Sequence, residues 1–310
     1  MYVYGPVPSR RLGRSLGVSP IPSKTCSYNC TYCQLGRTTH YQTKRENFYP
    51  KEEILAEIID RASRVKADYI TIVGDGEPTL YRYLGWLIRN IKENISLPVA
   101  VITNGSLLYR KDVRQDLEQA EVVMSSLDGG RRRTMRGINR PHNSLEYSTI
   151  LSGQVAFRKE FSGRLWLEIM LIKGVNDSEE ELLALRDAVD TIEPDRVYLM
   201  TPTRPPAESW VKPPDPATII KAQEIIGRSV PIVDIECGAF DTGGVTDPKT
   251  VLTEIGSRHP LRYEQAFEIE QTLNAEGVIE QMIKDGEFIE TNYNGHRYLL
   301  PRHFIRDRKK

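Results

Sequence analysis

The chain has 310 residues, of which 39% are apolar, and it carries 42 basic and 42 acidic side chains. This length and composition predict a globular protein with one large and one small domain, and zero net charge favours no class of partner. The sequence has no run of 18 apolar residues and no charged start followed by an apolar segment. We therefore expect no membrane span, no secretion signal and a cytoplasmic location.

Helix-like and strand-like segments alternate over residues 51–235. Helical periodicity occurs at 51–65, 81–94, 110–119, 145–161, 178–192 and 216–227. Apolar runs predict strands at 69–73, 99–102, 122–125, 165–172, 197–200 and 232–235. Because this alternation implies parallel strands joined by right-handed crossovers, we expect an α/β fold, either an open sheet or a partial (β/α) barrel. Functional residues should then lie in the loops that follow the strands.

The pattern changes after residue 235. Residues 236–258 are rich in glycine and have little periodicity, so we interpret them as a linker or lid between a core of residues 1–235 and a module of residues 259–310. That module contains helix-like segments at 263–273 and 275–285, then two short strands around Asn294-Gly295, a strong hairpin signal. Helices followed by one hairpin predict a winged-helix-like module.

Three of the four cysteines, Cys26, Cys30 and Cys33, lie within eight residues of each other. Such crowding is untypical of a disulfide framework and favours metal binding. Three thiolates can hold three irons of a [4Fe–4S] cluster and leave the fourth open, as a catalytic site requires. The alternative is a structural zinc site, for which His40 is the nearest fourth ligand. The lone Cys237 is interpreted as a buried apolar residue or, alternatively, as a reactive thiol near the site.

The spacing Cys26-x-x-x-Cys30-x-x-Cys33, with Tyr32 before the last cysteine, resembles the motif of the radical S-adenosylmethionine (SAM) superfamily. The resemblance covers residues 3–235. Segments 10–13 (RRLG), 33–38 (CQLGRT) and 201–208 (TPTRPPAE) resemble a prokaryotic branch grouped with the wyosine-forming tRNA synthases.

The resemblance implies a partial (β/α) barrel that binds a [4Fe–4S] cluster and SAM and receives electrons from a donor such as flavodoxin or ferredoxin. An oxidoreductase of this kind cleaves SAM reductively to a 5′-deoxyadenosyl radical, which abstracts hydrogen from a substrate. The substrate itself, RNA or protein, is left open.

Polar groups at the ends of three predicted strands are the candidate SAM contacts. The segment GDGE at 74–77 is similar to the family's Gly-Gly-Glu motif, with an inserted aspartate, and is expected at the SAM ammonium group. The alternative for all these groups is a purely local role in turns or at a helix start. The candidates are Gly74, Asp75, Gly76, Glu77, Thr103, Asn104, Ser126 and Asp128.

Two further candidates lie around the strand predicted at 165–172. Glu168 is an acidic residue within an apolar run, which is costly unless it is paired. It is expected either in a polar barrel interior or in an ion pair with a nearby arginine. Asn176 resembles a family position near the adenosine of SAM.

Arginines cluster on both sides of the expected site. They are Arg10, Arg11, Arg14 and Arg37 around the cysteines, and Arg131, Arg132, Arg133, Arg136 and Arg140 after the strand at 122–125. We expect both groups on one rim, where they could bind a phosphate-bearing substrate such as RNA. The alternative is a solvated face with one arginine for the SAM carboxylate.

The C-terminal module is also basic, at Arg258, Arg262, Arg297, Arg302, His303, Arg306, Arg308, Lys309 and Lys310. Its second helix carries Glu276, Glu280 and Asp285, which makes it a poor reader of DNA, so protein docking or substrate presentation is an equal alternative. A second hypothesis for the whole chain is a non-catalytic iron–sulfur sensor that binds DNA through this module. The Glu77 segment discriminates between the two, because a sensor needs no site for SAM.

Overall fold

A computed structural model describes residues 1–232, 240, 242 and 244–302. The predicted strand residues 233–235, Cys237 and the basic residues from 303 to 310 lie outside the described residues. In the part of the chain that is described, no helix is long and apolar enough to cross a membrane.

The strands and helices follow the predicted alternation. The strands are β1 (Val3–Ser9), β2 (Gly13–Val18), β3 (Thr25–Cys26), β4 (His40–Tyr41), β5 (Tyr69–Ile72), β6 (Val99–Thr103), β7 (Val122–Ser126), β8 (Arg164–Met170), β9 (Arg196–Met200), β10 (Ser229–Ile232), β11 (Leu261–Arg262), β12 (Phe288–Tyr293) and β13 (His296–Pro301). The α-helices are α1 (Lys51–Arg64), α2 (Leu84–Asn94), α3 (Lys111–Leu117), α4 (Arg132–Ile138), α5 (Tyr147–Glu160), α6 (Glu179–Ile192), α7 (Pro216–Ile226), α8 (Pro248–Gly256), α9 (Tyr263–Thr272) and α10 (Val278–Lys284). A short 3-10 helix spans Pro78–Leu80.

The main sheet has the strand order β1-β2-β5-β6-β7-β8-β9-β10, and every neighbouring pair except β1–β2 is parallel. The order from β2 onward follows the chain, so right-handed crossovers place the helices that connect these strands on one face of the sheet. The other face curves inward, which gives the predicted partial (β/α) barrel. The loops that follow the parallel strands therefore meet at one rim.

Side chains alternate between the two faces of this sheet, as the strand period of two requires. Val99 and Val101 of β6 point into the core between the sheet and the helices, whereas Ala100 points into the barrel interior. The interior core is small and contains Leu12, Ala100, Val122, Met124, Trp166 and Tyr198. Both faces are covered, which explains why the strands read as nearly continuous apolar runs.

Several elements were not predicted from the sequence. The β1–β2 hairpin contains prolines and arginines that hide its alternation, and α4 is a short, arginine-rich helix without a long apolar repeat. Strand β10 begins at Ser229, three residues before the predicted start. Helix α8 lies inside the segment predicted to be a linker or lid. Its start carries an ordinary signal, since Asp247 caps it and Pro248 is its first residue.

Residues 240, 242 and 244–302 form a C-terminal unit with its own core. Its elements follow the order α8, β11, α9, α10, β12, β13, and its sheet has the antiparallel order β11-β13-β12. The predicted hairpin turn is present, with Asn294 and Gly295 both at positive φ. Because Val251, Leu252 and Ile255 of α8 lie in this core, the unit begins before residue 259.

Candidate functional site

The three clustered cysteines line one cavity at the barrel rim. Cys26 ends β3, and the next turns bring Cys30 and Cys33 back towards it. The cavity has a volume of about 170 Å³. Seven of the predicted SAM residues line it together with the three cysteines: Gly74, Asp75, Gly76, Glu77, Thr103, Asn104 and Ser126. In the described ranges, no three His, Cys, Asp or Glu side chains are grouped closely enough to enclose a single metal ion.

The cysteine loop, residues 26–33, is attached to the end of α4. The amide of Thr31 donates to the carbonyl of Ile138 at 2.8 Å, and the amide of Asn29 donates to that of Asn139 at 3.0 Å. These bonds satisfy backbone groups of an irregular loop, as buried backbone requires. The positions of the thiols are therefore set by a helix more than 100 residues away in the sequence.

Burial raises the pKa of all three thiols, and that of Cys26 to about 12. The thiolate is the form that binds a metal, so bound metal must displace the proton and supply the compensating positive charge. Three soft sulfur ligands that line one cavity are a donor set that suits an iron–sulfur cluster.

Two asparagines donate towards these sulfurs. Asn104 Nδ2 lies 3.5 Å from Cys26 Sγ, and Asn139 Nδ2 lies 3.6 Å from Cys30 Sγ. The amide of Tyr28 also donates to Cys26 Sγ at 3.4 Å. Hydrogen bonds to ligand sulfurs orient them and tune a bound cluster. Asn139 was not predicted, because only the tertiary contact between α4 and the cysteine loop gives it this position.

The glycine loop, residues 74–77, passes directly against the chain that enters Cys26. Two backbone hydrogen bonds cross this contact. The amide of Lys24 donates to the carbonyl of Asp75 at 2.6 Å, and the amide of Glu77 donates to the carbonyl of Thr25 at 3.0 Å. A Cβ atom at Gly76 would lie 1.9 Å from the carbonyl oxygen of Thr25. Only glycine fits at this position, so the two loops that form the cavity depend on each other.

Glu77 is the most tightly held acidic group at the site, with 1% of its surface exposed. Its Oε1 atom accepts from the hydroxyls of Thr103 at 2.6 Å and Thr79 at 2.5 Å, and from the amide of Thr79 at 3.0 Å. Its Oε2 atom accepts from the amide of Asn104 at 2.7 Å. Burial raises the pKa of this carboxyl, while these hydrogen bonds oppose the rise. The same carboxylate caps the 3-10 helix, so the local role that the sequence allowed is present.

Asp128 lies beside the site but is not among the residues that line the cavity. It is 3% exposed and accepts from Tyr32 Oη at 2.5 Å, from Asn139 Nδ2 at 2.5 Å and from the amide of Met170 at 2.7 Å. Burial raises the pKa of its carboxyl. In this arrangement Asp128 orients two side chains: that of Tyr32, which belongs to the cysteine loop, and that of Asn139, which contacts this loop.

The structure also places Asn176 and Glu168 away from the cavity lining. Asn176 is fully buried and bonds to backbone groups only, donating to the carbonyls of Asp128 and Met170 and accepting from the amide of Ile172. Glu168 points into the barrel interior and forms an ion pair with Arg11. An ion pair with a nearby arginine was one of the two expectations for this residue.

The prediction that both arginine groups lie on one rim is wrong for Arg11 and Arg14. Arg11 pairs with Glu168 inside the barrel, and Arg14 pairs with Asp68, which precedes β5 at the opposite end of the sheet.

One arginine of each group does meet the other beside the cysteine loop. Arg37 and Arg140 both bind Glu208, at 3.2 and 2.6 Å, and the amide of Glu208 donates to the carbonyl of Thr31. The pKa of the Glu208 carboxyl is lowered, because the hydrogen bonds from the two arginines outweigh the effect of burial. Glu208 ends the segment 201–208, whose resemblance to the prokaryotic branch did not predict it as a site residue. On the outer surface Arg132 pairs with Glu146.

Comparisons with known proteins agree with this geometry. Residues 21–185 match the radical SAM superfamily. A UPF0026 protein of Methanocaldococcus jannaschii is 36% identical over 98% of this chain and 97% of its own length. A protein of Brachyspira hyodysenteriae described as GTPase Obg is 47% identical over 65% of this chain, but the match spans only 30% of that protein.

The fold also resembles solved structures. A radical SAM methyltransferase from Sphaerobacter thermophilus superposes with a TM-score of 0.57 and 18% identity, over 71% of this chain and 66% of its own. Members of the superfamily use a [4Fe–4S] cluster and SAM, a pair of cofactors that the three thiols and the glycine loop are suited to bind. The chain belongs to the radical SAM superfamily and is an enzyme of that family.

Proposed function

We propose that Cys26, Cys30 and Cys33 hold the [4Fe–4S] cluster and that SAM binds in the same cavity. The observation that carries this proposal is the shared lining of three thiols and the polar ends of β5, β6 and β7. The SAM contacts proposed are Gly74, Asp75, Gly76, Glu77, Thr103, Asn104 and Ser126. Asp128, Asn139 and Asn176 are proposed to position the surrounding loops.

Glu77 is proposed to bind the ammonium group of SAM. A carboxylate oxygen has two lone-pair directions, and Oε1 is already surrounded by three donors. Among the described residues Oε2 has one donor, the amide of Asn104, and so retains an acceptor direction. The threonine hydroxyls and amides that hold the carboxylate favour its ionised form against the effect of burial and fix its position before SAM arrives.

A cluster held by Cys26, Cys30 and Cys33 would supply one electron for the reductive cleavage of the SAM sulfonium, giving methionine and a 5′-deoxyadenosyl radical able to take a hydrogen atom from the substrate. The protein has to orient SAM, exclude water and admit a one-electron donor such as flavodoxin or ferredoxin. Buried Tyr28 and the half-buried Tyr32 form part of the cavity wall and shield it.

We propose a phosphate-bearing substrate, such as RNA, from the arginines at the rim. Arg37 and Arg140 retain 40% and 38% side-chain exposure beside the cysteine loop, although both are paired with Glu208. Their planar forks suit phosphate or carboxylate groups.

The C-terminal unit is proposed to be winged-helix-like, because its helices and hairpin follow the order expected of that module. Its hairpin turn contacts the barrel: Tyr293 Oη and Asn294 Nδ2 both donate to the carbonyl of Pro202 at 3.2 Å. A wing used in this way is not presented to DNA, and α10 carries Glu280 at its start. These contacts favour an enzyme over a DNA-binding sensor.

The test is anaerobic reconstitution followed by addition of dithionite and SAM. We expect 5′-deoxyadenosine from the wild-type protein and none from Cys30→Ala, which should also lose iron. A fully reduced, cluster-loaded protein that releases no 5′-deoxyadenosine, alone or with cellular RNA, would contradict the proposal.

The substrate is tested by mass spectrometry of tRNA nucleosides from cells with and without the gene. A nucleoside that disappears on deletion and returns with the wild-type gene, but not with Cys30→Ala, supports an RNA substrate. If the tRNA nucleosides are unchanged and a protein modification is lost instead, the substrate is a protein and the proposal of an RNA substrate is wrong.

A further inference from the structure

Arg258, which follows α8 in the C-terminal unit, reaches into the barrel and contacts the glycine loop. Its Nε atom lies 3.3 Å from Asp75 Oδ1, and both side chains are largely buried, with 14% and 12% exposure. The guanidinium also lies over the ring of Tyr4, 5.0 Å from its centroid. A buried ion pair therefore connects the two parts of the chain at the predicted SAM loop.

The same corner contacts the cysteine loop. Gln34, the residue after Cys33, donates from Nε2 to the carbonyl of Arg258 at 2.9 Å. Its Oε1 accepts from Arg204 Nη1 at 2.9 Å, and Arg204 Nη2 lies 2.8 Å from His259 Nε2. Two consecutive residues of the C-terminal unit, Arg258 and His259, are thus linked to both loops that form the cavity.

Asp75 is in a position to transmit this contact. It lies between Gly74, at φ +69, and Gly76, in the segment where the sequence departs from Gly-Gly-Glu. Glycines give a loop little stiffness of its own, so the conformation depends on its anchors. Besides Arg258, the Asp75 carboxylate accepts from Ser19 Oγ at 3.0 Å. Glu77 follows only two residues later.

We infer that Arg258 is a positioning residue for SAM: by holding Asp75, the C-terminal unit completes the SAM-binding loop. Affinity for SAM then depends on the docking of this unit, although no residue of the unit lines the cavity described above. The inference rests on the proposed role of residues 74–77 in binding SAM. Removal of one member of a buried ion pair leaves the other charge uncompensated, which should shift the loop.

The experiment uses the full-length, cluster-loaded protein and compares Asp75→Asn, Arg258→Gln, Arg258→Lys and the double variant. SAM binding is followed by equilibrium dialysis and by the change that SAM causes in the electron paramagnetic resonance spectrum of the reduced cluster. We expect iron content to be unchanged and the Kd for SAM to rise about tenfold in either charge-removing variant, the usual size of coupling between two sites.

The double variant should bind SAM no more weakly than the singles, because the pair acts as a unit. Arg258→Lys should recover part of the affinity, since it keeps the charge but loses the fork. Arg297→Gln is the matched control: this arginine of the same unit is 45% exposed and pairs with Glu290, so its removal should not change the Kd.

Unchanged SAM affinity in Asp75→Asn and Arg258→Gln, with Glu77→Gln impaired, would overturn the inference and leave the proposed function standing. Absence of SAM binding by cluster-loaded wild-type protein would instead contradict the proposed function. If Arg258→Gln fails to fold, Arg258→Lys decides, because it keeps the charge but loses the guanidinium fork, and Arg258 is outside the cavity lining. An unchanged Kd for SAM in Arg258→Lys would then overturn the inference. Loss of the cluster in Asp75→Asn would overturn the inference by assigning the pair to the fold alone.

Discussion

Gly76 shows how a single missing side chain allows the site to form. A Cβ at this position would collide with the backbone of Thr25, and backbone at that contact cannot move without displacing Cys26. We expect Gly76→Ala to prevent normal assembly of the cavity, with lower iron content after reconstitution and a lower midpoint of unfolding.

The matched control for this variant is Gly137→Ala. Gly137 lies within α4, and a Cβ there meets no atom within 4 Å. Alanine should stabilise this helix by roughly 0.5–1 kcal/mol and leave iron content unchanged. Equal iron content in both alanine variants would contradict the role given to Gly76.

Glu77 provides a second test at the scale of one residue. In Glu77→Gln the amide nitrogen would replace an oxygen that is surrounded by donors, and the charge that attracts an ammonium group would be lost. Such a mismatch costs about 1–3 kcal/mol. We expect weaker SAM binding with iron content retained, measured on the reconstituted protein. Loss of iron with SAM binding intact would show that Glu77 serves the cysteine loop instead.

At the scale of elements, Arg45 ties the chain after β4 to both α3 and the 3-10 helix. It is 6% exposed, donates to the carbonyls of Thr79 and Tyr81 at 2.9 Å, and pairs with Asp112 and Asp116 of α3. Arg45→Met would leave these groups without their partner. We expect a loss of about 3 kcal/mol in the free energy of unfolding, measured by urea denaturation under anaerobic conditions.

Arg64→Met is the control for this prediction, because Arg64 is 60% exposed and pairs with Asp60 within α1. A surface pair of this kind contributes less than about 1 kcal/mol. If the two variants have the same free energy of unfolding, Arg45 does not hold α3 against the 3-10 helix that follows the glycine loop.

At the scale of the whole molecule, the proposed ligation by three thiolates would leave one iron of the cluster without a cysteine ligand. We expect this cluster to be labile in air: iron and sulfide bound per chain should fall over hours of aerobic incubation, while an anaerobic sample keeps them. Four irons per chain retained in air would indicate a further protein ligand.

The sequence alone determined the order of the barrel elements and the location of the cysteine loop. Strand and helix periods are local properties, so the ranges of β5 to β9 could be predicted within a few residues. The cysteine spacing is equally local, because all three thiols lie in one short loop. Composition hid α8, since its start adjoins a glycine-rich segment.

Only the tertiary structure decided which polar residues share the cavity. Asp128 and Asn176 follow strands as Asn104 does, yet they bond to the neighbouring loops instead of lining the cavity. Arg258 meets Asp75 across 183 residues of sequence, a pairing that no local pattern records. The physical reason is that side-chain contacts depend on how strand ends and loops come together, whereas the periods that predict helices and strands depend only on near neighbours.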